Sequence, residues 1–144
     1  YQKNESDQYE LIKHVGIVRI CNNVDIGNNT CIDRAVLGET IIEDNVKILW
    51  GDIIKGNIVI GENSTIESSV NMTGSDEFPL RIGKNVLIKG SSYLFGSVVE
   101  DDVTIEHSVL IKKKIKAEND ATGKIKPVRF YIPETEGKDL LSDI

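Results

Sequence analysis

Branched aliphatic residues recur at a fixed interval along most of the chain, separated by short polar stretches. They stand at Ile20, Ile26 and Ile32, then at Val36, Ile42, Ile48, Ile54, Ile60, Ile66 and Met72. The series resumes at Ile82, Ile88 and Leu94 and closes at Val99, Ile105 and Ile111. Every step inside a block is six residues. A helix would scatter such positions around its cylinder, because six residues make about 1.7 turns. A small or branched residue often stands two positions earlier, as in Thr30/Ile32, Val46/Ile48, Ser64/Ile66, Val86/Ile88, Val103/Ile105 and Val109/Ile111. Residues two apart share one face of a strand, so each pair predicts a short strand with both side chains turned inward. The intervening "GNN", "EDN", "GEN", "GKN" and "EDD" supply residues suited to corners.

Each hexad is thus one strand plus one corner, and three hexads close a triangular coil of about 18 residues. Sixteen such positions predict an all-β solenoid of about five coils, roughly 25 Å long at the usual strand spacing. Ile26, Ile42, Ile60 and Ile82 are expected to share one core. The repeat assigns residues 1–15 to a lead-in, 16–116 to the β-helix and 117–144 to a C-terminal extension. In that extension "PVRFYIP" reads as a strand and "ETEGKDLLSDI" as a short helix or tail.

Three departures from the six-residue step matter, because a solenoid hangs its functional loops at such places. The largest lies in "TGSDEFPLR" (residues 73–81), where Gly74, Ser75 and Pro79 predict a loop leaving one edge. The steps from Ile32 to Val36 and from Leu94 to Val99 are short and predict tightened corners.

Composition narrows the partners. Seventeen basic and 23 acidic residues give a net charge of −6, which argues against a dedicated nucleic-acid binder. No run is long and apolar enough for a membrane span, and "YQKNESDQYE" has no apolar signal segment, so the expectation is a cytoplasmic protein. Cys21 and Cys31 have no metal-ligand spacing and are expected to be reduced and structural. Residues 112–130 are locally basic, through Lys112, Lys113, Lys114, Lys116, Lys124, Lys126 and Arg129. Two readings fit this run: an anion site for a phosphorylated donor or an acidic carrier protein, and a charged cap that stops end-to-end stacking.

The hexads "IGNNTC", "IEDNVK", "IGENST", "IGKNVL" and "VEDDVT" resemble the hexapeptide-repeat proteins, which implies a left-handed parallel β-helix and a homotrimer. Residues 16–63 resemble one family of them more specifically. "GIVRICNNVDIGNNTCIDRAVLGETIIEDNVKI" and "NIVIGEN" are similar to the UDP-3-O-acylglucosamine N-acyltransferases of lipid A synthesis. That resemblance implies acyl transfer from acyl carrier protein, or from acyl-coenzyme A in related enzymes, to the amino group of a nucleotide-linked sugar. No tightly bound cofactor or metal is implied. It also implies a histidine base, but "VKILWGDIIKGN" places Gly56 at that position and Leu49 where an orienting aspartate would stand.

The only histidines are His14, ahead of the first hexad, and His107, at an outward corner on a different face series from Gly56. With the base missing, Asp52 and Asp76 are the candidate catalytic groups. Trp50, Asn57, Asn71 and Glu77 are candidate substrate contacts, and Lys112, Lys113, Lys114 and Arg129 candidate donor contacts. Trp50 suits either stacking on a ring or filling a subunit interface. Two other functions fit the same chain: a non-catalytic β-helix assembly module with a lapsed site, and an accessory domain of a sugar nucleotidyltransferase.

Overall fold

The computed structural model describes residues 2–3, 5–10, 15–119 and 125–126. From residue 17 onward, three parallel sheets wind around one core. The first face stacks Ile17–Ile20, Glu39–Ile42, Ile58–Ile60, Leu80–Ile82, Val98–Val99 and Lys114–Ile115. The second stacks Asp25–Ile26, Lys47–Ile48, Thr65–Ile66, Leu87–Ile88 and Thr104–Ile105. The third stacks Cys31–Ile32, Ile53–Gly56, Asn71–Gly74, Tyr93–Phe95 and Val109–Ile111. The chain visits the faces in strict rotation, making five full coils and one further strand, which fits the left-handed parallel β-helix. Two antiparallel pairs flank this body, Gln2–Lys3 with Tyr9–Glu10 and Glu118–Asn119 with Ile125–Lys126. "PVRFYIP" and "ETEGKDLLSDI" lie outside the described residues.

Register between coils builds the core. Ile42 pairs with Ile60, Ile48 with Ile66, Ile66 with Ile88, and Met72 with Leu94, so like residues stack in ladders. Ile42, Ile60 and Ile82 are buried in one cluster, whereas Ile26 pairs with Ile48 but remains 40% exposed on the first coil. Two expected ladder positions are corrected. Val36 belongs to no strand, because residues 33–38 leave the coil as a loop and the first face resumes only with the strand Glu39–Ile42, whose inward residues are Thr40 and Ile42. Ile111 is 50% exposed and Leu110 takes its place, because the corner after Ile105 is one residue shorter and shifts the inward alternation.

The corners explain the polar triplets. Asn23, Asn45, Asn63, Asn85 and Asp102 adopt φ between 55° and 63° at successive turns from the first to the second face. Asn and Asp tolerate this left-handed region because their short polar side chains bond locally. From the second coil on, each such corner also donates its amide to the coil below, as from Asn45 to the Asn22 carbonyl and from Asn85 to that of Glu62.

Inward corner side chains carry a second set of bonds. Ser64 Oγ donates to the Gly83 carbonyl and accepts from the Val86 amide, and Ser92 Oγ donates to the Lys89 carbonyl and accepts from the Ser108 amide. Asp52 occupies the equivalent place on the second coil. It is fully buried, accepts from the Val70 amide at 2.7 Å through Oδ1, and finds no partner for Oδ2. Burial pushes its carboxyl up to about 6 from an ordinary 3.8, opposed only in part by the Val70 amide.

Truncating one ladder residue, Ile60→Ala, is expected to cost about 2 to 5 kcal/mol in urea denaturation. Truncating the outward Lys47 should stay within about 0.5 kcal/mol. Equal losses would mean that the ladders do not carry the fold. Asp52 sets a pH dependence of definite sign. Because its folded pKa is raised, its contribution to stability is greatest below pH 4, falls as pH rises towards 6, and stays at its minimum above that. Between pH 4 and pH 7.5 the stability difference between Asp52→Asn and the unmodified protein should therefore move towards the variant by up to about 3 kcal/mol. A pH-independent difference in denaturation midpoints would refute the buried acid.

Candidate active-site edge

The edge between the third and first faces carries the irregularities. Ten residues separate Ile32 from Ile42 and again Met72 from Ile82, where Ile54 and Ile60 are only six apart. Coils one and three therefore each project a loop, residues 33–38 and 75–79, while coil two turns tightly between them at Gly56 and Asn57. The short step read from Ile32 to Val36 is thus one half of an insertion that matches the loop in residues 73–81.

Backbone contact sets the floor of this recess. Gly56 has φ of 96°, and a Cβ there would overlap the carbonyl oxygen of Gly74 on the coil above. A Cβ on Gly74 would in turn overlap the carbonyl oxygen of Asn57. Two glycines let the coils meet where the Asn57 amide bonds the Gly74 carbonyl at 3.0 Å. Buried Thr40 ties the recess to the lower loop, its hydroxyl lying 2.6 Å from the Gly56 carbonyl and 3.1 Å from that of Asp33.

Asn57 is the hub of the polar groups. Its Oδ1 accepts from Arg81 Nη2 at 2.8 Å, and its Nδ2 faces Asp76 Oδ1 at 3.5 Å. Arg81 also donates from Nη1 to the Leu80 and Asn57 carbonyls, at 3.1 and 3.4 Å. Among the described residues it has no carboxylate ion partner, and burial lowers its pKa from the ordinary arginine value. A cation, an amide and a carboxylate thus converge beside a floor without side chains.

The upper loop is folded against the coils above it. The Ser75 amide donates to the Phe78 carbonyl at 3.0 Å, and the Phe78 amide to Ser75 Oγ at 2.9 Å. The Phe78 ring lies 6.4 Å from that of Phe95, and Lys112 Nζ stands 4.1 Å above it. Gly96, at φ of 53°, leaves room for Phe78 where a Cβ would come within 2.6 Å of its own.

Of the candidates read from sequence, the structure brings Asn57, Asp76 and the Gly56 position together. Glu77 is exposed on the same loop. Asn71 faces outward on the third sheet, its Oδ1 accepting from Thr73 Oγ1 at 3.5 Å. Asp52 is inside the corner between the second and third faces and does not reach the recess. Trp50 shares that corner, 62% exposed on its outer side. Lys112 and Lys113 follow the third-face strand of the fifth coil, Lys114 lies 3.9 Å from Glu100, and Arg129 is outside the described residues. Arg81 was missed, although it ends the very loop segment that the spacing singled out. Among the described residues, no helix is long and apolar enough to cross a membrane.

No family model matches the chain. Its sequence is similar to several UDP-3-O-acylglucosamine N-acyltransferases. That of Helicobacter pylori (strain ATCC 700392 / 26695) is 46% identical over 87 residues, covering 60% of this chain and 25% of the relative. That of Wolinella succinogenes is 37% identical over 124 residues, covering 85% and 38%. That of Albidiferax ferrireducens is 32% identical over 116 residues, covering 80% and 34%. The chain spans between a quarter and two fifths of the length of these curated relatives. Its coils and its sequence agree: this is a hexapeptide-repeat β-helix protein, related over most of its length to the UDP-3-O-acylglucosamine N-acyltransferases.

Proposed function

We propose that this β-helix transfers an acyl group from a thioester donor to the amino group of a nucleotide-linked sugar at the recess between the third and first faces. The supporting observation is the coincidence of two independent features. Identity to the N-acyltransferases runs from 32% to 46%, and the position where that resemblance expects the base is the floor of a recess flanked by two loops. The donor is acyl carrier protein or acyl-coenzyme A, the working unit is a homotrimer, and the compartment that supplies such donors is the cytoplasm.

In this reaction the amine nitrogen attacks the thioester carbonyl carbon. The C–S bond breaks, the amide C–N bond forms, and the thiol leaves with the proton that the amine loses. Asp76 accepts that proton from the amine and passes it to the departing thiolate, while Arg81 and the Asn57 amide face the oxyanion. Lys112, Lys113 and Lys114, two coils higher near the same edge, supply positive charge for a phosphorylated donor. Gly56 takes no part beyond allowing the coils to meet, so acceptor and carboxylate enter over a bare floor.

Mass-spectrometric detection of acyl transfer from acyl carrier protein to UDP-3-O-acylglucosamine tests this reading, and no product from the folded protein with either donor would refute it. Asp76→Asn is expected to lower kcat/KM by about 10² to 10⁴. An unchanged rate would remove Asp76 from the mechanism. Gly56→His is expected not to raise the rate and to cost at least about 2 kcal/mol of stability in urea, because any Cβ there meets the Gly74 carbonyl. A faster and equally stable variant would show that the recess still accommodates a histidine base.

A further inference from the structure

The edge between the second and third faces carries a separate groove of about 410 Å³, whose lining includes Trp50, Glu67, Ser68, Ser69, Ser91 and His107. Its lining comes from four successive coils, Trp50 on the second through His107 on the fifth, so it extends about 14 Å along the prism at three coil spacings. Its polar groups differ from those at the corners between the first and second faces. There the side chains bond to neighbouring corners, as Asp44 accepts from the Asn22 amide, Asp101 from the Lys84 amide and Asp102 from Asn85 Nδ2.

Here the hydroxyls of Ser68, Ser69 and Ser91 make no hydrogen bond among the described residues. His107 Nδ1 lies 2.6 Å from the Gly90 carbonyl. An acceptor oxygen there requires Nδ1 to carry the hydrogen, so the neutral ring leaves Nε2 as a free acceptor. Glu67 is already engaged, accepting from the Gly90 amide at 3.0 Å and lying 4.0 Å from Lys89 Nζ. The groove thus offers one large aromatic surface, several unused hydroxyls and one oriented ring nitrogen.

We propose that this groove is a carbohydrate site, in which a neutral hexopyranose ring lies on the Trp50 indole and its hydroxyls bond to the serines and to His107 Nε2. A pyranose combines an apolar face with a rim of hydroxyls, which matches an exposed indole bordered by unpaired polar groups. An anionic ligand finds less here, since no lysine or arginine lines the groove and Glu67 does. The site lies on another edge from the Asn57 recess and does not depend on acyl transfer there.

Trp50 is the only tryptophan in the sequence, so fluorescence excited beyond the absorption of the four tyrosines reports this groove. N-acetylglucosamine, UDP-N-acetylglucosamine and UDP are titrated separately into the protein, with saturation-transfer NMR as a readout that needs no indole. Both sugar ligands are expected to saturate, and UDP alone is not. Affinity should fall about tenfold or more in Trp50→Ala, and about threefold to tenfold in His107→Ala and in Ser69→Ala/Ser91→Ala. All of these residues are outside the core, and circular dichroism checks that each variant remains folded. No saturable binding of either sugar by NMR overturns the proposal. So does sugar binding that Trp50→Ala leaves unchanged, and so does a response to UDP alone as strong as to the sugars, which would mark a nucleobase site instead.

Discussion

The coil-to-coil backbone hydrogen bond in parallel register is the constraint on which everything else in this molecule rests. Because Ile48 stands opposite Ile66 and Ile66 opposite Ile88, each coil must return to the same phase after every circuit. A circuit longer than its neighbours cannot be absorbed in a face without turning aliphatic side chains outward. Extra residues are therefore expelled at the edges. The recess at Gly56 and Asn57 follows from that rule: two coils expel a loop at one edge and the coil between them does not.

The same constraint decides which polar residues belong to the structure and which are open to solvent. Inward positions two before a core aliphatic carry Thr40, Ser64, Ser92, Ser97 and Ser108, small enough to fit inside and able to serve the backbone of adjacent coils. A carboxylate at Asp52 fits the same space and bonds the next amide, but it lacks the hydroxyl hydrogen with which a serine would also donate. Its ionised form is consequently disfavoured in the fold. Outward corners have no such duty. At one of them the Asn and Asp side chains bond to neighbouring backbone and to each other, and at another the serines beside Trp50 do not.

The fold was legible because the ladder leaves a mark on every coil: aliphatics six apart, small residues two before them, and Asn or Asp where φ turns positive. The misreadings came from the same counting. Val36 stands six residues before Ile42 only because the inserted loop contains an aliphatic of its own, and the ladder passes from Ile32 directly to the strand that ends at Ile42. Leu110 and Ile111 are indistinguishable in the sequence, because a one-residue shortening leaves no mark when both neighbours are aliphatic. The candidate site was legible in part. Asn57 and Asp76 stood beside a glycine and a loop, but Arg81 owes its place to a strand register one coil above Asn57, which no linear spacing records. Asp52 carried its own signal, since two residues before Ile54 is an inward position, and its charge obscured it.

Phe78 gives the solenoid something that its stacking alone does not. In a linear array each coil touches only the next, and the ends can fray one coil at a time. The loop of coil three instead lays its ring against Phe95 and Gly96 on coil four and under Lys112 on coil five. That is a coupling between second neighbours, so the fifth coil is released only by breaking a contact rooted two coils away. The loop that borders the recess is thus also a strap across the upper three coils, its exposed cation–π contact contributing about 0.5 to 1 kcal/mol.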